Sequence, residues 1–197
     1  MLKYVISAKL LESIKKITRQ IAELNHQKFS EIILLDLEAE AQMQSSFSST
    51  SIEGNPLPLT EVKRIIKNKP AQIRNTEREV INYNAALIEL NKKIQTNKFI
   101  FDSELILQLQ KQVTSGLLPK FQSGKYRKEA VFVNDPRLKK TIYWPSDFQD
   151  VPALVTELLE FINANKNKID PIILAGLFHK QFVIIHPFVD GNGRTVR

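Results

Sequence analysis

The sequence predicts a mainly α-helical chain that carries one β-hairpin. Two observations predict it. Apolar residues recur at three- and four-residue spacing through most of the 197 residues, the period of an amphipathic helix. Between Arg127 and Trp144 the pattern changes to short β-branched and aromatic runs with alternation, the period of a strand.

The elements follow in order. Leu10, Ile14, Ile17, Ile21 and Leu24 share one face of a first helix, with Ser7 as its cap. A second helical run covers about Ser30 to Gln44. The stretch after it, SSFSSTSIEGNPLP, is rich in Ser, Gly and Pro and is expected to break the pattern. Thr60 is expected to cap a short helix through Ile66. Val80, Tyr83, Leu87, Leu90 and Ile94 mark another helix. Asp102 caps a run through Val113, with Gly116 near its end. Val151, Leu154, Leu158 and Ile162 mark one more. Asp170-Pro171 is an N-cap followed by proline at the first helical position, and its helix runs toward Ile185. AVFVND and KKTIYW are the β-rich runs, with NDPRLK between them. A lone hairpin is marginal in water unless it packs on something, so a hairpin on a helical body suggests a functional flap.

Composition narrows the function. Apolar residues are 43% and charged residues 25%, ordinary globular values that exclude a disordered chain, a collagen and a membrane bundle. Cysteine is absent. That excludes disulfides, thiolate zinc sites and thiol catalysis, and suits a reducing compartment. No apolar run is long enough to span a bilayer, and the N-terminus lacks the features of a signal peptide. The expected location is cytoplasmic, with no membrane partner. The 28 basic and 21 acidic residues leave a net charge of +7. The basic residues are dispersed, without an RNP aromatic pattern or zinc-finger spacing, so nucleic acid is not an expected partner.

The chemistry concentrates in the last twelve residues, HPFVDGNGRTVR. Gly191 and Gly193 flank Asn192, and such a turn presents successive backbone N–H groups to an anion when a helix starts there. Arg194 and Arg197 are three apart and share a helix face. Two guanidiniums beside an N–H cradle make a polyphosphate site. Asp190 stands just before it, and a carboxylate beside phosphate oxygens is the usual way to hold Mg²⁺. His186, four residues earlier, is a general base for a hydroxyl at neutral pH. Each feature alone is commonplace, since GNG is usually a turn and paired arginines a solvated face. Their ordered combination is the parts list for transfer from a nucleotide. It is not a Walker A loop, because the Lys-Ser/Thr pair is missing.

HPFVDGNGRTVR resembles the signature of the Fic family, H-P-F-x-D/E-G-N-G-R-x-x-R, at every specified position from His186 to Arg197. LFHKQFVIIHPF, with His179 and Phe182, is similar to the helix leading into the Fic loop. GKYRKEAVFV through YWPS resembles the Fic flap, and SSTSIEGNPLPLTEVKRII with EVINYNAAL resembles the family's N-terminal part. The likeness covers about residues 40 to 197.

The resemblance implies a Fic-type helical bundle with one β-hairpin flap. It implies transfer of AMP from ATP to a hydroxyl side chain of a target protein. His186 matches the base, and Asp190 the ligand of Mg²⁺, with Mn²⁺ an alternative. Gly191, Asn192 and Gly193 match the anion hole. Arg194 matches the arginine on the leaving pyrophosphate, and Arg197 the one on the γ-phosphate. Phe188 matches a buried loop anchor. The family lays its target as an extra strand along the flap, here Val131, Phe132, Val133, Thr141, Ile142 and Tyr143.

Ser49 to Asn55 resembles the inhibitory pattern S/T-x-x-x-E-G/N, with Ser49, Glu53 and Gly54 at the specified positions. By that likeness Glu53 would pair with Arg197 and exclude the γ-phosphate. The same residues also read as a helix end, with Gly54 as its left-handed cap. Residues 1–40 are expected to form an N-terminal helical region and 41–197 the Fic domain with its inhibitory segment. The chain stops at the last residue of the signature, so a domain cut short after the motif is expected. Three alternatives stay open: another donor, removal of AMP, or a disabled regulatory or binding module. So does a homodimer.

Overall fold

The computed structural model describes residues 4–96, 99–135 and 140–197. In chain order the elements are α1 (Ala8–Asn25), α2 (Glu31–Ile52), α3 (Leu59–Lys67), α4 (Asn75–Ile94) and α5 (Ser103–Val113), then β1 (Val133–Asp135), β2 (Lys140–Tyr143), α6 (Val151–Asn165), α7 (Pro171–Ile185) and α8 (Asn192–Val196). Side chains open several helices as the sequence predicts. Ser7 accepts from Leu10 N, Asp102 from Leu105 N and Asp170 from Ile172 N. Each satisfies a donor that lacks an intrahelical partner.

Two expectations need correction. The Ser-rich stretch does not break the second helix, which runs on to Ile52. Its hydroxyls do not compete with the helix, because they bond back one turn: Ser46 Oγ to Gln42 O and Thr50 Oγ1 to Ser46 O, both at 2.8 Å. Ser46, Ser49 and Thr50 are buried, and their small size lets α2 lie against α4. Propensity lost to tertiary packing here. Likewise Thr60 is not a cap. The helix already starts at Leu59, after Pro58, whose ring fixes φ but offers no acceptor.

α4 packs against α2, α3 and α5. Beyond α5 lie α6 and α7, whose buried Val151, Val155, Leu158, Leu159, Leu174, Phe182 and Ile185 form the main core with Ile106 and Phe188. The short α8 wedges between α5, α7 and the end of α2. Segments far apart in sequence thus meet at one place. The apolar face predicted for α1 is mostly uncovered, with Ile14 buried but Ile17, Ile21 and Leu24 exposed.

β1 and β2 pair antiparallel, Val133 with Tyr143, Asn134 with Thr141 and Asp135 with Lys140, with a register shift after Val133. The hairpin is shorter than the sequence suggests. Val131 and Phe132 precede β1, and residues 136–139, within the expected NDPRLK turn, lie outside the described residues. Its base is tied to the body by the Tyr143 hydroxyl, which donates to Ile184 O at 2.9 Å. Phe132 and Trp144 form an edge-to-face pair with centroids 4.7 Å apart, both exposed. Among the described residues no helix is long and apolar enough to cross a membrane.

The α2–α4 contact is testable. Ser46 is fully buried there, so Ser46→Leu is expected to overpack it and lower stability by about 1–3 kcal/mol. Urea denaturation followed by circular dichroism would read the change.

Candidate active site

α7 ends at Ile185, and His186 caps it in the left-handed conformation with φ 51° and ψ 61°. It is the one non-glycine residue with positive φ among the described residues. Such strain persists when the surroundings over-determine it. Here the His186 N–H bonds Phe182 O at 2.9 Å, and the His186 carbonyl accepts from Arg127 Nε at 2.9 Å. Pro187 then forbids further helix.

Phe188 is fully buried against Phe182 and Tyr126, with ring centroids 6.1 and 5.8 Å away. From this anchor the chain turns and starts α8. Asn192 closes the turn: its Oδ1 accepts from Phe188 N at 2.9 Å and its Nδ2 donates to Phe188 O at 2.8 Å. Gly191 takes φ 80°, and a Cβ there would run into Thr114. The first N–H groups of α8, those of Asn192, Gly193 and Arg194, begin a helix without intrahelical acceptors.

The predicted cluster is therefore assembled. Asp190 accepts from Gly191 N at 2.6 Å and from Arg194 at 2.7 Å. The Arg194 side chain is buried, and its other terminal nitrogen faces Glu79 of α4 at 3.2 Å. Arg197 donates to Ser49 Oγ at 3.1 Å, to Ser49 O at 3.0 Å and to Glu53 Oε1 at 2.5 Å. Glu53 is the C-cap residue of α2, and Gly54 follows with φ 93°. So the end of α2 lies on the second arginine of the motif. The Glu53 carboxylate also covers Gly193: a Cβ on Gly193 would collide with both Glu53 and Arg197.

Two buried polar residues hold the turn from outside, and the motif reading missed both. The Arg127 guanidinium donates to the carbonyls of His186, Ile185, Glu129 and Ser146 at 2.9, 3.5, 3.1 and 2.5 Å. It joins the hairpin base to the end of α7. Gln110 is fully buried, donates to Asp190 O at 3.1 Å and accepts from Gly124 N at 2.5 Å. A signal was available for Gln110. It lies four residues after Ile106 and three before Val113, on the buried stripe of α5, where a polar residue needs a partner.

The imidazole of His186 is half-buried, with Nδ1 enclosed and lacking a hydrogen-bond partner. Nε2 is thus the nitrogen able to meet a reactant. Burial pushes the imidazole below its ordinary range. The Arg127 charge adds to that, while the Val183 backbone, outside hydrogen-bonding geometry, and the Glu53 and Asp190 charges oppose it. The imidazole is then neutral at pH 7. Asp190 is a carboxylate with a 47% exposed side chain. Its hard oxygens fit Mg²⁺, which keeps several waters and completes its shell with phosphate oxygens. Among the described residues no group of three or more His, Asp or Glu gathers as a cage for a metal. A single carboxylate with phosphate oxygens does not need one.

Residues 100–197, half of the chain, match the Fic/DOC family. The chain belongs to the Fic/DOC family. This Fic chain is 29% identical over 162 residues to the protein adenylyltransferase Fic of Nematostella vectensis, covering 80% of this chain and 36% of that one. It is 27% identical over 197 residues to the protein adenylyltransferase fic-1 of Caenorhabditis briggsae, covering 98% and 36%. The chain thus spans about a third of the length of these curated relatives. A Fic family protein from Desulfovibrio desulfuricans superposes with a TM-score of 0.78 at 23% identity, over 100% of this chain and 57% of that one. Fic-1 from Caenorhabditis elegans (residues 134 to 508) superposes with a TM-score of 0.66 at 25% identity, over 96% and 57%. The mainly helical fold with one hairpin expected from the sequence is the Fic fold.

The lowered His186 sets a pH dependence. Above about pH 6.5 the ring is neutral folded and unfolded, so it contributes nothing. As pH falls below that value the unfolded chain takes up the proton first, and stability drops. His186→Gln is expected to lessen the loss of stability between pH 7 and pH 5, read by denaturant titration at each pH. An equal loss in both proteins would count against a neutral buried imidazole. Arg127→Met should leave four carbonyls, one buried and three partly so, without this donor and lower stability by about 1–3 kcal/mol, read by the same titration.

Proposed function

We propose that this Fic chain transfers AMP from ATP to a hydroxyl of a target protein and that Glu53 restrains the reaction. The observation that carries the reading is the convergence of His186, Asp190, the start of α8, Arg194 and Arg197 on one turn, with Glu53 lying across it. The curated relatives carry the name protein adenylyltransferase.

His186 Nε2 takes the proton of the attacking hydroxyl. The hydroxyl oxygen bonds to the α-phosphorus as the bond to pyrophosphate breaks. The turn of Gly191, Asn192 and Gly193 offers the N–H groups at the start of α8 to phosphate oxygens, while the Gly191 N–H is held by Asp190 and the Asn192 side chain keeps the turn closed. Arg194 faces the leaving pyrophosphate and Arg197 the γ-phosphate, so charge is met by fixed donors in a preorganised site. Asp190 would hold Mg²⁺, which supplies charge neutralisation when bound. The target strand adds to the hairpin edge by backbone hydrogen bonds, which set register without demanding one sequence. Val133, Thr141, Ile142 and Tyr143 lie on its strands, and Val131 and Phe132 lead into them.

Restraint follows from competition. A carboxylate and a phosphate suit the same guanidinium face, and Glu53 holds the face of Arg197 that a γ-phosphate needs. Residues 41–197 then work as one unit of catalytic turn and inhibitory helix end, after a helical region over 1–40. The absence of cysteine supports a cytoplasmic location.

The test is intact-mass measurement after incubation with Mg²⁺ and α-labelled ATP. A charge-assisted hydrogen bond is worth roughly 1.5–3 kcal/mol, so Glu53→Gly is expected to raise AMP incorporation about ten- to hundredfold. Adding His186→Ala should remove the gain by about 10²-fold or more. Equal labelling in all three proteins would refute the assignment.

A further inference from the structure

Glu79 lies on α4, at the first position of the EVINYNAAL stretch, where no role was assigned to it, and bridges two parts of the site. One carboxylate oxygen faces the Arg194 guanidinium at 3.2 Å. The other accepts from the Asn55 side-chain amide at 2.8 Å. Asn55 is buried and follows Glu53 by two residues. Its amide also donates to Thr76 O at 2.8 Å, its Oδ1 accepts from Leu57 N at 3.1 Å, and its N–H bonds Thr50 O at 3.1 Å. The end of α2 is therefore pinned to α4 through this one side chain, just past the residue that sits on Arg197.

The geometry points to Glu79 as a positioning residue that aims Arg194 and, through Asn55, holds the end of α2 so that Glu53 stays on Arg197. The inference rests on the reading of the turn as a triphosphate site. Arg194 has two carboxylate neighbours, Asp190 and Glu79. Asp190 is half exposed and is the candidate metal ligand. When it turns to a metal, Glu79 remains as the carboxylate against a buried guanidinium, which needs a fixed partner. Glu79 touches no reacting atom. Its two oxygens are committed to different segments, so moving it to free the inhibitory loop also disturbs Arg194.

Two measurements test this. The first is calorimetric binding of inorganic tripolyphosphate with Mg²⁺, a probe that needs only the N–H groups and the arginines. Asn55→Ala removes the link. Asn55→Asp keeps the size and the bond from Leu57 N but sets a carboxylate against Glu79, so a misfolded alanine variant does not end the test. Each is expected to bind about fivefold tighter than the unsubstituted chain. Combined with Glu53→Gly, neither should bind tighter than Glu53→Gly alone. Unchanged affinity, or gains that add in full, would overturn the inference.

The second is steady-state AMP transfer in the Glu53→Gly background. Glu79→Gln is expected to lower kcat about tenfold without raising KM for ATP. The neutral side chain leaves the charge of Arg194 to the phosphates but no longer fixes its direction. An unchanged kcat, or a raised KM with kcat intact, would overturn it. If Glu53→Gly binds tripolyphosphate but transfers no AMP, the proposed reaction fails and the binding measurement still decides the inference. If no variant binds, both fall together.

Discussion

Asn192 holds both backbone polar groups of Phe188 with one amide, at 2.9 and 2.8 Å. Both residues are buried, so water cannot replace either bond. This reciprocal pair closes the chain into a turn whose width is set by one side chain. The positions of His186 before it, Asp190 within it and α8 after it all depend on that closure. Phe188 supplies the other half of the constraint by filling the core between Phe182 and Tyr126. A loop is ordinarily the least determined part of a fold. Here the loop is anchored as firmly as the helices that flank it.

Around that turn the charges are arranged in advance. Two guanidiniums lie among three carboxylates, those of Asp190, Glu79 and Glu53. Arg194 is enclosed and cannot rely on solvent for its compensation. Arg197 is engaged by α2 through both the Ser49 hydroxyl and the Glu53 carboxylate. Any anion entering the turn meets donors already aimed, but it must also displace resident carboxylates. Affinity in such a site is a difference between two good pairings rather than the strength of one.

Much of this was legible in the sequence. The turn of the candidate site was legible because its residues are contiguous, and a chemical pattern confined to twelve positions survives without three-dimensional information. The Glu53–Arg197 pairing was legible only through resemblance, since nothing in the spacing of two residues 144 apart requires them to meet. Glu79, Gln110 and Arg127 were not singled out, because each acts through the backbone or a distant partner; Glu79 and Arg127 lie within stretches likened to the family, but no spacing sets them apart there. The Ser-rich end of α2 was misread for a related reason. Its hydroxyls look like loop chemistry until the neighbouring α4 provides a surface that rewards small side chains. The cap expected at Thr60 failed because Pro58 sets the start of α3 by fixing its own φ.

The hairpin described above is a two-stranded sheet, with no further strand paired to it among the described residues. Unpaired sheet edges recruit any extended chain, including another copy of the same protein, and so invite fibrous association. The strands here are three and four residues long, and the register slips between Val133 and Asn134. A ladder so short and interrupted cannot template a growing sheet, because each added strand gains too few bonds to offset its ordering entropy. The brevity of the hairpin thus limits the association of copies through its edges.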